Sequence, residues 1–233
     1  MLRLNDVTLI CYEVMAHDLM IAAMEHTLAR IDFAETLVWS DRDLKIKNSK
    51  WIEVGSLGKY ETLTEMLWYT TAEKIQTSHF LFMSYKGGIV NENKWSNEFL
   101  DYDYIGAVWP WHNTHRVGNG TGLRSVKLSQ TLKDNKKKFP IVGKGEDSVL
   151  SREYRDELEI LGIKWAPENL ALKFAFERGP QTDSFMFHGM YNMPKVLSKE
   201  DMKNRFFMTN NYVRNHPEYN EMLRNITLLG VLQ

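Results

Sequence analysis

HFLFMS, residues His79–Ser84, followed at once by Tyr85-Lys86-Gly87-Gly88, decides the fold: a short apolar run that stops at a glycine turn reads as a β-strand. The same grammar holds upstream. VTLICY, Val7–Tyr12, reads as a buried strand, Thr36–Trp39 as a second ending at Ser40-Asp41, and Trp51–Val54 as a short third. Between them lie helical patterns. His17–Arg30 spaces Leu19, Ala22, Ala23, His26 and Ala29 by threes and fours, and Tyr60–Thr71 forms a second helix. Strand and helix in alternation predict βα units and a mostly parallel central sheet flanked by helices, an α/β domain. Ligands in such sheets bind beyond the carboxyl ends of the strands, which makes Tyr12-Glu13, Ser40-Asp41 and Ser84–Lys86 candidates by position.

The second half is less regular. Tyr104–Val108 reads as a strand, Val117–Leu123 as a glycine-rich loop, and Ser125 to about Asp134 as a helix. Glu146–Leu161 reads as a helix closed by Gly162, Ile163–Trp165 as a short strand, and Pro167 as a helix start. Phe185–Phe187 leads into His188-Gly189, and Ser198-Lys-Glu-Asp201 resembles a capping box. Beyond it the chain is polar and aromatic, with no chemistry legible.

Bulk properties narrow the classes. The 233 residues suit one sizeable domain, and 43% hydrophobic with 25% charged residues is ordinary for a packed one. Lys+Arg of 29 against Asp+Glu of 30 excludes a global basic field for nucleic acid. A local run, Lys136–Lys138, reads first as a solvated loop. The single cysteine, Cys11, allows no internal disulfide, which fits a reducing, cytoplasmic setting; no apolar span and no signal peptide is expected.

Four groups carry possible chemistry. VGNGTGLRS, Val117–Ser125, could expose N–H groups to an anion or sugar hydroxyl through Gly118, Asn119 and Gly120, or be only a turn; its glycine spacing fits neither a dinucleotide fingerprint nor a P-loop. Glu146-Asp147 could supply a general base or merely complement a helix dipole. His188 could face a ligand or be a hydrogen-bonded structural histidine. Asp101-Tyr102-Asp103 spells a D-x-D metal signature, because carboxylates two apart share a face of an extended chain. It precedes its apolar run instead of following it, so a structural or acceptor-side role is favoured.

In order, VTLICYEV, VWSDRD (Val38–Asp43), HFLFMSYKGGIVNENKW (His79–Trp95), EFLDYDYIGAVWPW (Glu98–Trp111), VGNGTGLRS, GEDSVLSREYRDELEILGIKWAPENLALKFAFE and FMFHG resemble a group of bacterial and viral proteins. These are grouped under a domain of unknown function and regarded as glycosyltransferases with a GT-A, Rossmann-like fold. The resemblance spans roughly residues 5 to 197. It implies one domain over 1–197, with 198–233 as a helical extension packed on it.

Roles follow from the resemblance at matching positions. Asp147 resembles the base of inverting enzymes, with Glu146 orienting it or the acceptor. Tyr12, Asp41, Ser84, Lys86, Gly118, Asn119, Gly120 and His188 fall where the nucleotide-sugar donor is met, a UDP-sugar by expectation. Asp101, Asp103 and Trp109 fall at the acceptor or sugar pocket; Asp103 and His188 are the positions a metal would use. The pattern expects an aspartate where this sequence has Lys86, so Mn²⁺ or Mg²⁺ dependence is expected to be weak or absent, with the ammonium taking the cation's part. Two alternatives stay open: a transferase for a hydroxylated DNA base, with Lys133, Lys136, Lys137, Lys138 and Lys144 as a basic rim, and an inactive nucleotide-sugar-binding module. The acceptor, whether glycan, small molecule or modified base, is not specified.

Overall fold

The computed structural model describes residues 1–55, 60–178 and 183–230. Nine strands form two sheets: β1 (Leu2–Tyr12), β2 (Ile31–Ser40), β3 (Lys50–Glu53), β4 (His79–Met83), β5 (Gly88–Ile89), β6 (Tyr104–Ile105), β7 (Gly122–Ser125), β8 (Ala175–Phe176) and β9 (Met186–Phe187). The six-stranded sheet runs β3-β2-β1-β4-β7-β6, and a smaller one runs β5-β9-β8. β1 pairs in parallel with β2 and β4, and β3 in parallel with β2. Val7 through Cys11 and all of β4 are buried, as expected of strands covered on both faces.

The sheet is mixed. β7 lies antiparallel to β4, with His79 opposite Ser125, and β6 lies antiparallel to β7. The glycine segment is therefore only partly loop. Its last residues, Gly122–Ser125, make a central strand, which sequence periodicity could not show because glycine carries no pattern.

Helices cover the sheet. α1 (His17–Leu28) buries Leu19, Met20, Ala23, Met24 and Thr27, a face rotated from the expected one, with Ala29 left outside as the C-cap. α2 (Tyr60–Glu65) passes through a π-turn (Met66–Thr70) into α3 (Thr71–Lys74). α4 (Val126–Asp134) is capped by Ser125 Oγ, which accepts the Leu128 N–H at 3.0 Å. The expected helix from Glu146 is three pieces: α5 (Glu146–Ser148), a π-turn (Val149–Glu153) and α6 (Arg155–Ile160). Gly162, at φ +84°, closes it as expected. α7 (Glu168–Phe174) follows Pro167, which sits at the N-cap.

α8 (Met193–Val196), α9 (Lys199–Phe207), α10 (Asn211–Arg214) and α11 (Pro217–Leu228) complete the chain's described part. Ser198 caps α9 through the Asp201 N–H at 3.0 Å. These last helices pack on the main body: Asn210 Nδ2 donates to the Met15 carbonyl at 2.7 Å and Asn225 Nδ2 to that of Tyr191 at 2.7 Å. Among the described residues, no helix is long and apolar enough to cross a membrane.

Candidate functional site

A cavity of about 310 Å³ opens beyond the carboxyl ends of β1 and β4. Tyr12, Ser84, Lys86, Gly120, Glu146, Asp147 and His188 line it, so seven of the residues singled out by sequence meet in one place. Glu13, a candidate by position, and Thr121, from the glycine segment, line it too, as do Met15, Tyr212 and His216, which nothing in the sequence had marked.

The acidic wall begins with a buried ion pair. Arg124, on β7, sends Nη2 to Glu146 Oε1 at 2.6 Å and Nη1 to Oε2 at 2.9 Å. Trp68 Nε1 donates to the same Oε2 at 3.2 Å. Arg124 Nη2 also reaches the Gly120 carbonyl at 3.3 Å, so one guanidinium joins the glycine segment to α5. Burial works against the arginine's charge, and the Glu146 carboxylate outweighs it, holding Arg124 cationic. Both Glu146 oxygens are thus engaged by protein donors, although the residue still lines the cavity.

Asp147 is the neighbour left over. Its Oδ1 accepts the Ser148 N–H at 2.9 Å. Burial, then the Glu146 charge, raises its carboxyl to about 6. A Cβ placed on Gly120 would stand 3.9 Å from Asp147 Oδ2, which puts the glycine's open face against the carboxylate.

The cavity also gathers one ammonium and two imidazoles. Lys86 Nζ lies 3.4 Å from Glu218 Oε1 and 3.1 Å from His216 Nε2. Thr121 Oγ1 joins three segments, 3.0 Å from Ser84 Oγ and 2.9 Å from His188 Nδ1. Burial, then Lys86, pushes the His188 imidazolium down to about 3, so the ring is neutral at pH 7. Tyr12 Oη, buried at the cavity wall, has no hydrogen-bond partner among the described residues. Burial, then the Glu13 and Asp41 charges, pushes its phenol up.

Six expected site residues stand outside the lining. Asp41 is paired with His17 Nε2 at 2.6 Å. Gly118 lies under Trp109, where a Cβ would come within 2.2 Å of the indole; close approach, not a special dihedral, requires glycine here. The positive φ of the loop falls on Asn119 (+97°), which is buried and accepts the Thr121 N–H through Oδ1 at 2.9 Å.

Trp109 is itself buried. Asp101 closes a 3₁₀ turn (Asn97–Asp101) and is exposed, so it does not share a face with Asp103: the D-x-D geometry needs an extended chain and this one is coiled. Asp103 is buried and fully used, accepting from Ser125 Oγ (2.6 Å), Lys127 Nζ (3.2 Å) and the Lys164 N–H (2.8 Å). It anchors β6 and β7, and its expected place at an acceptor or metal is corrected accordingly. Among the described residues no group of three or more His, Cys, Asp or Glu side chains is placed to hold a metal ion.

Three of the five rim lysines pair with carboxylates. Lys133 pairs with Glu73, Lys138 with Glu157 at 3.1 Å and Lys144 with Glu153 at 3.2 Å. Lys136 sits 4.4 Å over the Tyr69 ring.

Glu177, after β8, was also missed. One carboxylate oxygen is buried without a partner among the described residues, and burial lifts the acid to about 7. A lone glutamate between a strand and a loop carries no sequence signal of this.

The fold is of the GT-A type, as the likeness to two solved structures shows. Among solved structures the chain is similar to a glycosyltransferase involved in the glycosylation of the major capsid of PBCV-1, with TM-score 0.51 and 11% identity over 87% of this chain and 98% of that one. It is also similar to an active-site mutant of LgtC, with TM-score 0.50 and 10% identity over 93% of this chain and 99% of that one. The chain belongs to the family described as "Protein of unknown function (DUF5672)", which matches residues 45–189. No curated protein matches the sequence.

Proposed function

We propose that the chain is a glycosyltransferase that moves a sugar from a nucleotide-sugar donor, a UDP-sugar by preference, to a hydroxyl acceptor with inversion. The observation that carries this reading is one cavity lined both by the Asp147 carboxylate and by the nitrogens of Lys86, His188 and His216.

In the reaction, Asp147 accepts the acceptor's hydroxyl proton as its oxygen attacks the anomeric carbon. The bond from that carbon to the diphosphate oxygen breaks, and the nucleoside diphosphate leaves with the electron pair. Lys86 neutralises the leaving charge as a point cation, and His188 adds a neutral donor. An acid near pH 6 suits a base working at neutral pH, and Arg124–Glu146 fixes its backbone. Positioning supplies much of the remainder.

A divalent cation does not fit this cavity. An ammonium stands where the resemblance expects a carboxylate, and Glu146 and Glu218 are already ion-paired. The mechanism is read as metal-independent. The paired lysines argue against the DNA-directed alternative, since little unbalanced charge is left to follow a phosphate backbone.

The test is a thermal-shift screen against nucleotide sugars with and without Mn²⁺, followed by donor turnover in wild type and Asp147→Asn. A donor present at 100 times its Kd stabilises by about 2.7 kcal/mol. Donor binding without turnover in any acceptor mixture, or full activity in Asp147→Asn, refutes catalysis by this site and leaves a binding module.

A further inference from the structure

The segment 198–230, in which the sequence showed no chemistry, brings two side chains to the cavity, Tyr212 and His216. His216 stands at the N-cap of α11 and its ring reaches the cavity. Its Nδ1 accepts the Glu218 N–H at 3.2 Å. A neutral imidazole has one lone-pair nitrogen, so its proton is then on Nε2. Nε2 lies 3.1 Å from Lys86 Nζ, and an ammonium carries donors only. Two donors therefore face each other with no acceptor between them.

We propose that His216 is a diphosphate-binding residue, and that with Lys86 it forms a two-nitrogen clamp for one phosphoryl group of the donor. A phosphoryl oxygen is the acceptor that the His216 Nε2–H lacks, and Lys86, which already donates to Glu218 Oε1, has further N–H groups to offer it. The groups facing His216 are Lys86 from the turn after β4, His188 from the end of β9, and Glu218 from α11 itself. Glu218 is occupied: Oε1 with Lys86 and Oε2 with the Met190 N–H at 2.8 Å. Burial, then the Lys86 charge, holds the His216 imidazolium below its usual range. The clamp rests on the donor-site reading above, but its test does not depend on turnover.

Calorimetric titration with inorganic pyrophosphate and with UDP at pH 7 tests the clamp apart from turnover. The full chain is compared with His216→Asn, which keeps an N-cap acceptor for α11 but is too short to reach Lys86, and with His216→Ala. The expected result is binding by wild type and about tenfold weaker binding in both variants. Unchanged affinity in His216→Asn, or no binding of either anion to wild type, overturns the clamp. A clamp that behaves as described in a protein that transfers no sugar removes the transferase reading alone.

Discussion

Arg124 and Glu146 meet in a two-pronged ion pair, 2.6 and 2.9 Å, with side chains 1% and 4% exposed. The pair ties β7 to α5 and so places Asp147 beside Gly120. Glu146→Gln leaves a buried cation without its partner and is expected to cost about 3–5 kcal/mol, read as a lower urea midpoint at unchanged m-value. An unchanged midpoint would mean that Asp147 is positioned by something else.

The Asp147 carboxyl, raised to about 6, sets the pH profile. The base acts deprotonated, so kcat/KM rises with pH through about 6 and levels above it. Asp147→Asn removes this limb and lowers kcat by about 10²–10⁴-fold. Because its folded value is raised, the ionised form opposes folding. That penalty is absent below the unfolded value and grows as pH rises through 6, so Asp147→Asn is expected to raise Tm at pH 8 and leave it unchanged at pH 3.

Lys86 offers a gain-of-response test. Wild-type turnover should persist in EDTA, whereas Lys86→Asp should lose most activity and recover part of it with added Mn²⁺. Turnover abolished by EDTA and restored by Mn²⁺ in wild type counts against the ammonium's proposed part.

Gly118→Ala forces a methyl group into the Trp109 indole, whose nearest ring atom would be 2.2 Å away. A destabilisation of about 1–3 kcal/mol is expected from overpacking, with a blue-shifted or broadened tryptophan signal. Gly120→Ala meets only an ordinary 3.9 Å contact and should remain as stable as wild type, so a change there reads on the site and not on packing.

Duplex and single-stranded DNA should not bind at low salt, because Lys133, Lys138 and Lys144 each have a carboxylate partner. A steep dependence of binding on salt would revive a nucleic-acid acceptor.

What the sequence disclosed follows from periodicity. VTLICY and HFLFMS are apolar on both faces, and that demands a covered parallel strand whatever follows. Their ends lead directly to Tyr12, Ser84 and Lys86. Gly122–Ser125 was hidden because its pairing with β4 uses backbone, and backbone leaves no trace in side-chain pattern. Asp103 misled for the opposite reason: its tripeptide had the right letters, but a 3₁₀ turn before it spoils the spacing. His216 and Glu218 were invisible since their meaning arises only against Lys86, 130 and 132 positions away.

The two π-turns bear on how the cavity tolerates change. Met66–Thr70 holds Trp68 against Glu146, and Val149–Glu153 begins two residues after Asp147. Each i→i+5 turn lodges one surplus residue in an otherwise regular helix. Removing that residue would let the helix run regularly, but every side chain on one flank would swing by about 100° relative to the other. Length here acts as a phase setting: a single-codon deletion in either stretch would leave composition nearly untouched and turn the indole, or the packing behind the base, away from its partner.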